Sequence, residues 1–197
     1  MAPRDAVDAV SAGGGTKQAI RDAAVQLFAA KGFEQTSLRE VADMVGITKA
    51  SLYYHYASKL DLLLAIVDPI IGHVREIVTD IDAVPYDAEG IRAMLRAYLR
   101  GMIRHRDAGA VFVRDAAAVV NAITDRYPDL MEPTMDLRVW LAGPDPDPEA
   151  MLRASAAIEV LGVALLSTEI APGATDALVE KTLLDAATCV LTACGTA

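Results

Sequence analysis

An all-α protein with a small N-terminal head and a larger C-terminal body is what this sequence predicts. Three observations carry that expectation. Apolar residues recur at i, i+3, i+4 and i+7 along most of the chain, the spacing of one face of a helix. Alternating β-branched runs between turn clusters, the mark of strands, are nearly absent. Of the 197 residues 53% are apolar but only 5% aromatic, and a core rich in Ala, Val and Leu suits helices that approach closely through small side chains.

The first fifteen residues carry Arg4, Asp5 and Asp8 and end in Gly13-Gly14-Gly15, so residues 1–15 are expected to form a disordered arm. Gly13 to Lys17 is not read as a phosphate loop, because such a loop follows a strand and sets its lysine directly after the second spaced glycine. A first helix is expected over about 16–31, with Ile20, Ala23, Ala24, Leu27 and Phe28 as its buried stripe and Gly32 as its end. Ser37 and Glu40 form a capping box for a second helix that places Leu38, Val41, Ala42 and Val45 on one face. Gly46 ends that helix in a left-handed conformation and Ile47 plugs the turn. Thr48 caps a third helix, in which Leu52 and Tyr56 supply a buried side while Lys49, Ser51, Tyr53, Tyr54 and His55 project elsewhere. Two short helices joined by a glycine-containing turn, the second carrying donors and aromatic rings outward, have the geometry that enters a DNA major groove.

At this point residues 20–64 resemble the DNA-binding domain of TetR-type repressors. The resemblance rests on Ala24-Val25-Gln26-Leu27-Phe28 closing in Lys31-Gly32-Phe33, on the Thr36 to Ala42 segment, on Gly46-Ile47-Thr48-Lys49-Ala50-Ser51-Leu52-Tyr53-Tyr54-His55-Tyr56, and on Ser58-Lys59 opening a fourth helix. The family usually has Phe where this chain has Tyr56, which adds one hydroxyl to a position expected to be buried. The resemblance implies a three-helix DNA-binding domain with its helix-turn-helix over 16–62 and a helical ligand-binding and dimerisation domain over 63–197. It also implies that Thr36, Ser37, Arg39, Lys49, Ser51, Tyr53, Tyr54, His55 and Lys59 meet the duplex. Lys49 and Tyr54 are the expected base readers, and Tyr53, His55 and Lys59 the expected phosphate anchors. A homodimer built on the last two helices, facing a pseudo-palindromic operator in double-stranded DNA, follows from the same resemblance.

Beyond the head, Ser58 and Asp61 cap a long helix with Leu60, Leu63, Leu64, Val67, Ile70, Ile71 and Val74 apolar, and Pro69 is expected to kink or break it. The next helix, about 88–105, sets Ile91, Met94, Leu95, Tyr98, Leu99 and Met102 against a row of Arg92, Arg96, Arg100 and Arg104, which in an acidic domain should pair with carboxylates. A helix over 110–126 holds Phe112, Val113, Ala116, Ala117, Val120 and Ile123, with Asn121 beside the apolar arc. Tyr127-Pro128-Asp129 restarts the chain in a helix through Met131, Met135 and Leu137 to Trp140, and the Pro- and Asp-rich run from Gly143 to Pro148 is a loop. Two helices follow, about 149–168 and 174–194; Ala154, Ala156, Ala157, Gly162 and Ala164 let another helix approach the first closely.

Net charge is −9, which would argue against a nucleic-acid partner if it were evenly spread. Residues 1–60, however, hold seven Lys and Arg against six Asp and Glu, while residues 61–197 hold eleven against twenty-one. Basic groups are needed only where phosphates approach; the acidic body favours solubility. No secretory segment is evident, and the uninterrupted apolar run over 160–166 is far shorter than the ~20 residues of a membrane helix, so no membrane partner is expected. Cys189 and Cys194 read as reduced thiols of a cytoplasmic protein.

His55, His73 and His105 are far apart, without a Cys, Asp or Glu at metal-ligand spacing, and no nucleophile elbow, HExxH or dinucleotide glycine pattern is present. No catalytic residue, metal or cofactor is expected. Met94, Tyr98, Met102, Phe112, Val113, Asn121, Met131, Met135 and Trp140 are expected to line a cavity for a mostly apolar small-molecule effector, with Asn121 and Tyr98 as polar partners. The sequence therefore reads as a DNA-binding transcriptional regulator, a ligand-responsive homodimeric repressor; the alternative is a constitutive or protein-partner-controlled regulator without a small-molecule effector.

Overall fold

The structure, a computed structural model, describes residues 5–109, 111 and 119–192, and no strand occurs among them. The helices are α1 (Asp5–Lys31), α2 (Leu38–Val45), α3 (Lys49–His55), α4 (Lys59–Val78), α5 (Ala88–Arg104), α6 (Glu132–Ala142), α7 (Pro148–Gly162) and α8 (Asp176–Thr192). Short 3-10 turns occupy Ile81–Ala83, Arg106–Ala108, Pro128–Met131 and Val163–Leu166, the last continued by one α turn at Ser167–Ile170. Val111 and residues 119–124 are helical within the helix expected over 110–126, whereas Phe112, Val113, Ala116, Ala117 and Cys194 lie outside the described residues. Two compact units result, one within Met1–Val67 and Ala110–Ile123, the other within Asp68–Gly109 and Thr124–Ala197. The first division between them falls between Val67 and Asp68, within α4.

In the first unit α1 spans Asp5–Lys31 among the described residues, so residues 5–15 are helical rather than an arm. Glycine costs about 1 kcal/mol relative to alanine inside a helix, yet adding residues to a helix already nucleated by the Ile20 stripe is far easier than starting a new one. Ile20, Ala24 and Phe28 are fully buried, and Phe33 meets Phe28 edge-on with ring centroids 5.3 Å apart.

Of the kink or break expected at Pro69, the break does not occur: α4 runs continuously from Lys59 to Val78 with Pro69 inside. Leu62, Leu63, Ile66 and Val67 before the proline, and Ile71 and Val74 after it, are all buried. A proline in a helix interior costs about 3 kcal/mol, and burying several branched side chains at roughly 1.5–3 kcal/mol each outweighs it.

The second unit is a helical core. Met94, Leu95, Tyr98, Leu99 and Met102 of α5 meet Leu137 and Leu141 of α6, Ala154, Ala157, Ile158 and Leu161 of α7, and Leu184 and Ala187 of α8. Burial pushes the Tyr98 phenol up to about 12, with Glu159 adding to the effect and Arg138 opposing it. Three of the four arginines of the row pair across to α8: Arg92 with Asp185 at 2.8 Å, Arg96 with Glu180 at 3.6 Å, and Arg100 with Glu180 at 3.0 Å. The small residues of the α7 region divide between two faces. Ala154, Ala157 and Ala164 are fully buried in the core, Ala156 is exposed, and a side chain added at Gly162 would meet open space.

Pro148–Ile170 is, among the described residues, the stretch of 23 residues long and apolar enough to cross a membrane, a length that the uninterrupted apolar run concealed. Its inner face belongs to the helical core just described.

One contact joins α4 to α5 through a notch. His73 Nε2 donates to the Ala97 carbonyl at 2.9 Å, and its ring occupies the space a side chain at Gly101 would need, with an added Cβ only 1.9 Å from His73 Cδ2. Gly101→Ala must therefore displace the ring and its hydrogen bond. We expect a loss of about 1–3 kcal/mol in urea unfolding, with an unchanged denaturant slope.

Candidate nucleic-acid interface

The α2–turn–α3 unit is built from local hydrogen bonds. Ser37 Oγ accepts from the Glu40 backbone N–H at 3.3 Å while the Ser37 backbone N–H donates to Glu40 Oε2 at 2.9 Å, closing the capping box. Gly46, at φ 75° and ψ 30°, ends α2 in the left-handed region, and the Ile47 N–H returns to the Ala42 carbonyl at 3.0 Å. Thr48 Oγ1 accepts from the Ser51 N–H at 3.1 Å and starts α3. Leu52 is fully buried and Tyr56 is 4% exposed, which fixes the inner side of α3. The extra hydroxyl of Tyr56 donates to the Lys17 carbonyl at 3.4 Å, so its burial does not leave a polar group unpaired.

The outer surface carries donors and rings. Tyr54 is 87% exposed and Tyr53 45%; the Arg39 side chain is 80% exposed and reaches Asp43 only at 3.8 Å. Ser37 and Lys49 are exposed, and Ser51 and His55 are partly so. Tyr54 and His55 meet edge-on at 5.4 Å, and the Lys49 ammonium stands 5.5 Å from the centre of the Tyr53 ring. Mobile cations and rotatable hydroxyls beside aromatic edges can follow a phosphate backbone and reach base edges.

Two of the nine expected DNA-binding residues are placed differently. Thr36 is 2% exposed, and its hydroxyl donates to the Gly32 carbonyl at 2.9 Å with the Leu27 carbonyl at 3.2 Å. Its side chain is therefore used within the fold, at the α1–α2 corner. Lys59 is half-buried, donates to the Phe33 and Glu34 carbonyls at 2.8 and 3.1 Å, and stands 4.5 Å from the centre of the Phe33 ring, so it also clamps the start of α4 to that corner. Sequence reasoning missed the pairing of Lys31 with Glu40, which ties α1 to the capping box. Nine positions of separation across a turn carry no periodic signal.

Of the expected ligand-binding residues, Met94, Tyr98 and Met102 come together in the core of the second unit. Met131 and Trp140 are half-buried, Met135 is 50% exposed and Asn121 is exposed. Phe112 and Val113 lie outside the described residues.

With this geometry in hand, the comparison with known proteins is specific for the head. The family described as bacterial regulatory proteins, tetR family, matches residues 20–66. This is a TetR-type regulator head. Over 82 residues the chain is 38% identical to the HTH-type transcriptional repressor KstR2 of Rhodococcus jostii (strain RHA1), a match covering 40% of each protein. Against its namesake in Mycobacterium tuberculosis (strain ATCC 25618 / H37Rv) the identity is 32% over 102 residues, covering 50% of this chain and 49% of that protein. The chain thus spans half or less of the length of the curated relatives it matches. In fold, the chain resembles Mycobacterium smegmatis AmtR, with a TM-score of 0.67 and 22% identity over 90% of this chain and 86% of that one. SmeT in a complex with triclosan gives a TM-score of 0.56 and 20% identity, covering 88% and 90%.

The capping box of the TetR-type head has a pH signature. The Lys31 ammonium, followed by the Ser37 backbone N–H and hydroxyl, lowers the Glu40 carboxyl from its ordinary 4.5 to about 2. A carboxyl held low in the folded state stabilises that state fully above about 4.5, and the contribution is lost as the pH falls from there towards about 2. Carboxyl NMR should place Glu40 near the lower value, and Glu40→Gln should flatten the pH dependence of unfolding in that window while leaving it unchanged near pH 7.

Proposed function

We propose that this chain is a transcriptional repressor that binds a pseudo-palindromic operator in double-stranded DNA as a homodimer and lets go when a mostly apolar small molecule binds its second unit. The observation that carries the reading is the α2–turn–α3 unit, whose inner side is locked by Leu52 and Tyr56 while Arg39, Lys49, Tyr53 and Tyr54 stand outward. Ser37, Ser51, His55 and Lys59 complete the proposed contact set, with Lys49 and Tyr54 reading bases. Such a protein works in the cytoplasm, beside the DNA.

A seven-residue reader helix makes too few base contacts to select one site in a genome; two heads one or more turns apart, ~34 Å each, make enough. Support for a second copy comes from the outer face of α7 and α8. Leu152 is 71% exposed and joins Ala156, Ala186, Cys189 and Val190 around an open, mainly apolar hollow that Glu149 and Arg153 also border. An apolar face of this kind on adjoining helices suits a four-helix junction between two copies. For the effector, the support is the group of large, adaptable side chains Met94, Tyr98 and Met102 within one core, together with a fold neighbour studied in a complex with triclosan. Release requires that the effector bind one arrangement of the helices better than the other.

Operator selection from genomic fragments, followed by anisotropy titrations, tests the DNA reading. Arg39→Ala should weaken binding almost equally on all sequences and reduce the salt slope by about one unit, whereas Tyr54→Ala should cost roughly 1–3 kcal/mol and relax the preference at one base pair. Binding that ignores both changes would remove α3 as the reader. For the dimer, Leu152→Asp should give a folded monomer by sedimentation with much weaker operator binding; a wild-type monomer at micromolar concentration would refute that arrangement. Ala164 is unsuited to the same test, because it is buried within its own protomer.

A further inference from the structure

A groove of about 840 Å³ lies on the second unit, bordered by the end of α4, the turn at Ile81–Ala83, the loop through Tyr86, the outer side of α6 and Gly143. We propose that it binds an organic cation of the aryl-ammonium type, a compact positive charge attached to an aromatic group. The groove lies on the outer side of the core around Met94, Tyr98 and Met102, against which its Val78, Ile81, Val84 and Trp140 pack, and its assignment does not depend on the regulator reading.

The floor is an aromatic corner. Tyr86 and Trp140 meet edge to face with ring centroids 5.4 Å apart and planes at 82°. Tyr86 is 46% exposed and neighbouring Val139 44%, so the corner offers apolar surface to solvent rather than filling a core. It is also held in place before any ligand arrives. Tyr86 Oη donates to the Leu141 carbonyl at 3.2 Å. Gly143, at φ +92°, leaves the room the phenol needs, since a Cβ there would sit 2.7 Å from Tyr86 Oη. A rigid corner loses little freedom when a flat group settles on it.

The polar part of the lining has one sign. Asp82 and Asp136 border the groove, no basic residue does, and neither carboxylate has an ion-pair partner among the described residues. Anions are therefore repelled, and a neutral arene would cover the carboxylates with nothing to offset their lost hydration. A small metal ion gains nothing from the rings. An aryl-ammonium satisfies both features, placing its ring on the aromatic corner and its charge near the carboxylates and the π faces.

Trp140 is the single tryptophan of the chain, so intrinsic fluorescence reports directly on this groove. Benzyltriethylammonium titrated into the full chain should change the emission saturably, and benzenesulfonate, which has the same ring and the opposite charge, should not. Asp82→Asn with Asp136→Asn should raise the dissociation constant about tenfold or more, and Tyr86→Ala should weaken binding without touching either charge. Circular dichroism checks that these exposed positions leave the fold intact. Equal responses to the two probes, an unchanged constant in the double variant, or no saturation at millimolar concentration would each overturn the proposal. If the double variant misfolds, the comparison of the two probes on the unmodified chain still decides. Operator binding is read in a separate titration, so failure here and failure of the regulator reading are distinguishable.

Discussion

A helix of seven residues has no stability of its own in water, because nucleation consumes more entropy than so few hydrogen bonds return. Helix α3 is that short, and the head is arranged around this constraint. Thr48 satisfies a backbone donor at its start, Gly46 turns the chain into it, and Leu52 and Tyr56 bury its inner side. Around them, Thr36 and Lys59 use their donors on carbonyls of the α1–α2 corner. Polar side chains of the type that meet phosphates are thus used internally, which leaves the outward row of α3 ordered without being covered.

The second unit is held together differently. Alanines at Ala154, Ala157 and Ala187 let α7 and α8 come close, and Leu95, Leu99, Leu137 and Leu161 fill the remaining space. The arginine pairs between α5 and α8 have side chains about a quarter to three-fifths exposed. Exposed pairs of this kind contribute about 0–1 kcal/mol each, so packing supplies the stability. What the pairs add is specificity of position, because an arginine every four residues meets carboxylates only when the two helices stand in one register. They also neutralise part of the basic charge of a unit that is strongly acidic in sum. The groove with Asp82 and Asp136 is a place where that acidity is left without a partner.

Local features were legible because their partners are three or four residues apart. The capping box at Ser37 and Glu40, the left-handed Gly46, the Thr48 cap and the inward Leu52 all appear as expected. At Pro69 a local penalty announces a kink or a break but says nothing of the burial on both sides that keeps the helix continuous. The internal bonds of Thr36 were hidden for a related reason: a threonine ahead of a helix can offer its hydroxyl to solvent or to a carbonyl of its own fold, and nothing within the neighbouring residues distinguishes the two. In α7 the apolar and small residues surround too much of the helix for period alone to separate Ala154 and Ala157, which are buried, from Ala156, which is exposed.

By itself, then, the sequence determined the helical class, the helix-turn-helix with its caps and the outward row on α3, because helical period and capping act over one turn of chain. Tertiary structure alone decided that Lys59 reaches back 26 residues to Phe33, that Arg92 crosses 93 to Asp185, and that Tyr86 crosses 55 to the Leu141 carbonyl and stands beside Trp140. Contacts of that span depend on how whole helices pack against one another, and the shape that packing produces is a property of many side chains at once.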